Sequence, residues 1–183
     1  YMAEHIFAPL GMTSTAFRIT DDMRSRLSDM HARLEDGSLV PMEFEIPQEP
    51  EFEMGGGGLY STILDYARFL QLFLNRGRAG DVEVVQPGTV AEMTRNNMGD
   101  LRVELLKTAN PGYSHDAEFF PGVPKSWGLT FQINEEPAPT GRPAGGLMWA
   151  GLANSYYWID LENNVAGVYA SQIVPFADPR TFQ

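Results

Sequence analysis

The clearest hydrophobic pattern in the chain predicts a buried helix in the middle of its first half. Thr62 is expected to be the N-cap of this helix, and Asp65 occupies the capping-box position three residues later. Gly77 is the predicted C-terminal cap. The apolar stripe is wide, so the helix should be well buried. Its members are Ile63, Ala67, Phe69, Leu70, Phe73 and Leu74.

Two shorter helices are predicted, one before and one after this helix. Residues 2–8 carry apolar side chains at helical spacing, and Pro9 is expected to stop that pattern. The later helix should begin near Pro87, because proline is favoured in a first helical turn. Residues 20–38 fit either a short helix or a meandering sheet edge. Residues 40–54 are rich in Pro and Glu and predict an extended loop.

The last third of the chain carries strand patterns. Residues 126–134 predict one strand, and residues 154–161 and 164–174 predict two more around the turn sequence Glu-Asn-Asn. Side chains alternate along a strand, so Tyr156 and Trp158 should share one face while Tyr157 lies on the other.

Helices that precede a set of strands indicate the α+β class. Residues 1–98 are predicted to be mainly helix and loop, and residues 126–175 to be antiparallel strands. Together, residues 1–183 are interpreted as a single partial domain, an antiparallel sheet flanked by helices. Predicted helices lie against both ends of the sequence, so we expect the chain to belong to a longer polypeptide.

Composition narrows the classes of partner. The formal charge of −11 and the pI of about 4.6 would repel a phosphate backbone or an anionic membrane, so neither nucleic-acid binding nor membrane binding is expected. Cysteine is absent, which excludes disulfides, thiolate metal sites and cysteine nucleophiles. The three histidines lack metal-ligand spacing, so no metal and no cofactor is predicted. The composition does not indicate a cellular compartment.

Four consecutive glycines, residues 55–58, precede the long helix. A phosphate-binding loop is disfavoured, because such a loop ends in Gly-Lys-Ser or Gly-Lys-Thr and this one ends in Leu-Tyr-Ser. The sequence alone favours close backbone packing with positive φ angles. A third interpretation is a glycine wall beside a substrate pocket, formed by Gly56 and Gly57.

Four stretches, taken together and in order, resemble one family of enzymes. They are IFAPLGMTSTAF, GGGGLYSTILDYARFLQLFLNRG, SWGLTFQI and WAGLANSYYWIDLENNVAGVYASQIVP. These resemble serine β-lactamase-like and penicillin-binding-protein-like hydrolases, in the branch that includes class C β-lactamases and family VIII carboxylesterases. The resemblance covers most of the chain and implies a β-lactamase/transpeptidase-like fold and acyl transfer through a serine.

The resemblance also implies three motifs: Ser-x-x-Lys, Tyr-x-Asn and a third motif such as Lys-Thr-Gly or Trp-x-Gly. The only lysines are Lys107 and Lys125, and neither has a serine three places earlier. No tyrosine is followed two places later by asparagine. In the family both motifs precede the segment that begins here at Pro9. The nucleophile, lysine and tyrosine are therefore expected outside this chain, which would need that missing N-terminal part of its fold.

The third motif matches Trp149-Ala150-Gly151. By the resemblance, these residues bind substrate, and the backbone N–H of Leu152 donates to the oxyanion. Tryptophan at this position resembles the esterase branch, and its apolar face suits an uncharged substrate better than a lysine would. A core tryptophan followed by a β-bulge at Gly151 is the alternative.

The sequence therefore predicts the C-terminal portion of a serine hydrolase that transfers acyl groups to water, acting on small esters as a carboxylesterase. A small-molecule ester or amide is the expected partner. The alternatives are a β-lactamase, a D-peptidase or an acyltransferase of the same fold. A further alternative is a non-catalytic binding or regulatory module that lost the nucleophile. The fragment alone is expected to be inactive.

Overall fold

A computed structural model describes residues 1–181 of the chain. Its helical elements are a π-helical segment at Ala3–Phe7, which runs directly into α1 (Ala8–Leu10), then α2 (Asp21–Ser25), α3 (Ile63–Leu74) and α4 (Pro87–Met93). Its strands are β1 (Met30–Arg33), β2 (Leu39–Met42), β3 (Arg78–Ala79), β4 (Val82–Glu83), β5 (Lys125–Trp127), β6 (Gln132–Asn134), β7 (Leu147–Gly151), β8 (Ser155–Asp160), β9 (Val165–Tyr169) and β10 (Ile173–Val174).

The largest sheet is antiparallel and has the order β5-β6-β7-β8-β9. Strands β7 and β8 form its central hairpin, in which Trp149 pairs with Tyr157 and Gly151 pairs with Ser155. Helices come first and this sheet follows, so the α+β class predicted from the sequence is confirmed.

The last predicted strand differs from the observed structure, because part of it belongs to a second sheet. The segment 164–174 is two strands, β9 and β10, and β10 leaves the large sheet to pair in parallel with β1. Residues 20–38 thus contain both a short helix, α2, and a true strand, β1. The predicted loop 40–54 begins within β2, which pairs antiparallel with β1. The hydrophobic pattern could not reveal the pairing of β10 with β1 because the two strands lie far apart in sequence.

The segment 126–134 is also two strands, with a break that begins at Gly128. A Cβ atom at Gly128 would lie 2.2 Å from the carbonyl oxygen of Met93, and the Leu129 N–H donates to that same oxygen at 3.1 Å. The Gly128 N–H donates to Phe131 O at 2.8 Å, which closes the turn that joins β5 and β6 as an antiparallel hairpin, and this turn lies close to the end of α4. A single strand over this segment was the wrong prediction.

The start of α3 confirms half of the predicted capping box. The Thr62 side chain accepts from the Asp65 N–H at 3.2 Å, as an N-cap does. The Asp65 carboxylate points elsewhere: it is buried and accepts from the Ser14 N–H, the Thr15 hydroxyl and the Arg68 guanidinium. Asp65 therefore fastens the turn after α1 to α3 instead of capping its own helix.

The end of α3 is a Schellman motif in which Gly77 occupies a different position from the one predicted. The left-handed residue is Arg76, with φ of 51°, and its N–H donates to Phe73 O at 3.1 Å. The Gly77 N–H donates to Leu72 O at 2.7 Å. Gly77 has a φ of 92°, and a Cβ there would lie 1.9 Å from Val85 O. Glycine is required mainly for that close approach.

The first helix also continues past its predicted end. Pro9 lies within one continuous helical run, because α1 follows directly on the π-helical segment Ala3–Phe7, and the helix runs on to Leu10. Gly11, with φ of 65°, ends it. The later helix, α4, begins at Pro87 as predicted.

Helix α3 packs on β8 and β9 and forms the main core with the large sheet. The Phe73 and Phe131 rings lie 4.8 Å apart, and the Tyr66 and Tyr157 rings 5.2 Å apart. Burial raises the pKa of Tyr66 to about 12. Tyr156, on the opposite side of β8, contacts Phe119, Tyr169 and Phe176. The predicted alternation of Tyr156 and Tyr157 is confirmed.

Candidate active site

The Trp-Ala-Gly motif forms the end of β7, and Leu152 follows it at the tip of the β7–β8 hairpin. Trp149 is half-buried, and its ring packs 4.5 Å from that of Trp127 and 5.9 Å from that of Phe119. Gly151 and Leu152 are exposed, Leu152 at 55% of its surface. The motif therefore runs from a packed aromatic cluster to an accessible strand end.

The hairpin tip is a three-residue loop, residues 152–154. The Asn154 N–H donates to Gly151 O at 3.0 Å, which closes a β-turn. Within that turn only Asn154 has a positive φ, 59°. These features define a type I turn followed by a left-handed residue, a common hairpin connection. Leu152 is the first central residue of the turn, and within residues 1–181 its N–H donates no hydrogen bond.

Asn154, which the sequence pattern predicts only as the first residue of a strand, anchors this tip. Its side chain is fully buried, and its amide nitrogen donates to the carbonyls of Ile173 and Pro175, each at 2.8 Å. Its Oδ1 accepts from the Tyr156 hydroxyl at 2.5 Å and from the Asp178 N–H at 3.1 Å. An asparagine three residues after Gly151 was the available signal, since asparagine tolerates left-handed backbone.

Two serines hold the other side of the tip. The Ser171 hydroxyl lies 2.8 Å from Ala153 O and 2.9 Å from Asn154 O, and it donates to these carbonyls. The Ser155 hydroxyl donates to Ser171 O at 3.0 Å and accepts from the Ser171 N–H at 3.2 Å. The segment after β9 therefore binds the hairpin tip by both backbone and side chain.

A buried ion pair extends this network to β1. Asp178 is fully buried, and the Arg33 Nε lies 2.8 Å from each of its carboxylate oxygens. Burial by itself raises the pKa of Asp178, but hydrogen bonds from Arg33 and from the Arg180 N–H outweigh burial and hold that pKa below its ordinary value of 3.8. The pair joins residues 145 positions apart in sequence.

The glycine stretch forms a turn in which the N–H groups of Gly57 and Gly58 donate to Met54 O at 3.2 and 2.7 Å. None of the four glycines has a positive φ, so that part of the expectation is wrong. Close packing holds at Gly58, where a Cβ would lie 2.9 Å from Met54 O, while a Cβ at Gly56 would meet open space. The residues that contact these glycines lie outside β7. A pocket wall formed by Gly56 and Gly57 therefore stays a prediction.

Lys125 has a structural environment. Its ammonium group is buried and donates to Glu118 Oε1 at 3.3 Å, Phe120 O at 3.2 Å and Val123 O at 2.8 Å. Three acceptors match the three N–H donors of a lysine, so this residue supports the loop before β5. Within residues 1–181 no three His, Asp or Glu side chains are grouped to hold a metal, and no helix is long and apolar enough to cross a membrane.

These elements, an antiparallel sheet with α3 packed on it and an exposed Trp-x-Gly strand end, define a chain with the β-lactamase/transpeptidase-like fold. The model of the Beta-lactamase family matches residues 1–182, so the chain belongs to the Beta-lactamase family.

Similar proteins include an esterase and a simvastatin synthase. Protein Rv1367c of Mycobacterium tuberculosis is 29% identical over 94% of this chain and 42% of its own length. Lovastatin esterase of Penicillium rubens is 27% identical over 95% of this chain and 45% of its own. The solved structure of simvastatin synthase (LovD) from Aspergillus terreus superposes with a TM-score of 0.77 and is 25% identical, over 100% of this chain and 46% of that one. The chain thus spans less than half the length of these relatives.

Proposed function

We propose that this chain forms one wall of the acyl-transfer site of a serine hydrolase that acts on uncharged esters. The Ser-Lys-Tyr centre would lie in a longer polypeptide, called here the intact protein. One observation carries the proposal: in a chain of the Beta-lactamase family, the Trp-x-Gly strand ends at an exposed turn whose Leu152 N–H donates no hydrogen bond within residues 1–181. Such a donor is what a developing oxyanion requires.

The reaction would proceed in two steps of acyl transfer. The serine hydroxyl, activated by the lysine and tyrosine, attacks the ester carbonyl, and the alcohol leaves to give an acyl-serine. Water then attacks the acyl-serine and releases the acid. In both steps the carbonyl oxygen becomes negative, and the Leu152 N–H stabilises it. Gly151 permits this approach because it presents no side chain beside the turn.

Trp149 supports an uncharged substrate. Its indole is held against Trp127 and Phe119, so it offers a fixed apolar surface and one N–H donor where the Lys-Thr-Gly form of the motif would have a cation. Acyl transfer to an acceptor other than water is the second candidate. The name of lovastatin esterase favours ester cleavage over β-lactam or D-peptide cleavage, and the name of a further relative, Acyltransferase calJ of Penicillium decumbens, favours the second candidate.

The intact protein is expected to cleave p-nitrophenyl butyrate with a kcat/KM at least about 10-fold above that for p-nitrophenyl hemisuccinate. The two esters share a leaving group and differ only in a terminal carboxylate. Contact with Trp149 would remove water from that carboxylate without supplying a charged hydrogen bond in its place. A hydrogen bond to a charged group is worth about 1.5–3 kcal/mol. Initial rates at several concentrations of each ester provide the measurement.

The variant Trp149→Lys is the matched comparison. It should lower the ratio of kcat/KM for the butyrate to kcat/KM for the hemisuccinate, because its ammonium group can pair with the carboxylate. A wild-type protein that prefers the hemisuccinate would refute the substrate assignment. The non-catalytic hypothesis makes a different prediction: the intact protein would lack Ser-x-x-Lys before the segment that begins at Tyr1, and it would cleave neither ester.

A further inference from the structure

Asn154 has a partner for every polar group it carries. An amide side chain offers two N–H donors and an oxygen with two lone pairs. Both donors go to carbonyls of the segment after β9, at Ile173 and Pro175, and the oxygen accepts from Tyr156 and Asp178. Its backbone N–H closes the hairpin turn, and its carbonyl accepts from a serine hydroxyl.

We infer that Asn154 is a positioning residue that fixes the direction of the Leu152 N–H. It lies two residues beyond Leu152, in the same turn, and reaches into the protein while Leu152 faces solvent. The inference rests on the proposed function, because it assigns the N–H of Leu152 to the oxyanion. Asn154 itself touches no reacting atom.

The physical reason lies in the geometry of the turn. An oxyanion donor acts only if it is held in place before the reaction, since donors must lie about 2.7–3.1 Å from the developing charge. Leu152 is exposed, and within residues 1–181 its N–H makes no hydrogen bond that would fix it. The left-handed Asn154 and its buried hydrogen bonds determine where that N–H points. A displacement of about 1 Å can cost about 100-fold in rate.

The side chain at position 154 is chemically specific. Aspartate has nearly the same shape, but it would present a carboxylate oxygen to the carbonyls of Ile173 and Pro175, where the amide now donates. Asn164 is a natural control: it also has a left-handed backbone, with φ of 56°, but it lies exposed in the β8–β9 turn. Asn164→Asp makes the same chemical change outside the network.

The test compares Asn154→Asp and Asn164→Asp in the intact protein with p-nitrophenyl butyrate. The concentration of competent sites is first titrated with a fluorophosphonate, so that kcat is expressed per reactive serine. Asn154→Asp should lower this kcat by about 100-fold with KM changed less than about 3-fold, and Asn164→Asp should match the wild type. A merely structural role would lower the number of competent sites and leave kcat per site unchanged.

A wild-type kcat per site in Asn154→Asp would overturn the inference. If that variant yields no competent sites, Ser171→Ala provides the decisive measurement, because it removes only the hydroxyl that donates to the Ala153 and Asn154 carbonyls. It should lower kcat per site by roughly 10-fold, and an unchanged kcat would overturn the inference. Wild-type protein that neither binds the fluorophosphonate nor cleaves the ester would instead refute the proposed function, and the inference with it.

Discussion

Replacing Leu152 by proline in the intact protein should lower kcat for p-nitrophenyl butyrate by about 100- to 1,000-fold, the usual cost of removing one oxyanion donor. Proline lacks the N–H that we assign to the oxyanion. It should also leave the fold intact, because Leu152 is the first central residue of a type I turn, a position that favours proline. Within residues 1–181 no hydrogen bond of the fold is lost.

Leu152→Ala is the matched control, because it removes the exposed side chain and keeps the N–H. We expect this variant to retain most of its turnover. Circular dichroism and the thermal midpoint of both variants should match the wild type, which separates loss of the donor from loss of the fold. Folded Leu152→Pro protein with full turnover would show that the oxyanion donor lies elsewhere.

The largest expected effect on stability comes from the buried ion pair. Arg33→Met should lower the free energy of unfolding by about 3–5 kcal/mol at pH 7, because it leaves the Asp178 carboxylate charged, buried and without its cation. Urea unfolding of the two proteins measures the difference. Arg24→Met is a suitable control: it breaks an equally close pair with Glu45 that lies exposed, and its effect should be much smaller.

The free energy of unfolding that Arg33→Met loses should depend on pH in a defined direction. The pKa of Asp178 lies below its ordinary value in the folded protein, so its contribution to stability is full above the unfolded value. That contribution is lost as the pH falls through the lowered, folded-state pKa. The difference in free energy of unfolding between wild type and Arg33→Met should therefore become smaller as the pH falls below about 4. A gap that is constant from pH 7 to pH 3 would contradict this origin.

Sequence patterns correctly located elements that are determined by residues close together in the chain. The apolar stripe and the Thr62 cap fixed α3 to within a residue, and the turn signal fixed the β8–β9 hairpin. The Trp-Ala-Gly motif was found through resemblance, and the structure places it at an exposed strand end. Its chemical role is a proposal that depends on the family and on the turn together.

Several parts of the structure that the sequence did not predict depend on long-range contacts. Asn154 bonds to residues 19 to 24 positions away, and Arg33 pairs with Asp178 across 145 positions. The split of β9 from β10 has the same origin, because β10 finds its partner in β1. A hydrophobic pattern reports which face of an element is buried, but it does not report which distant backbone that face will meet.

The location of the reactive serine tests the central claim most directly. The intact protein is treated with a fluorophosphonate, digested, and searched by mass spectrometry for the modified peptide. We predict a single stoichiometric adduct on the serine of a Ser-x-x-Lys motif that precedes Tyr1, together with loss of ester cleavage. An adduct on a serine within residues 1–183, or ester cleavage by these residues alone that the reagent abolishes, would contradict the account.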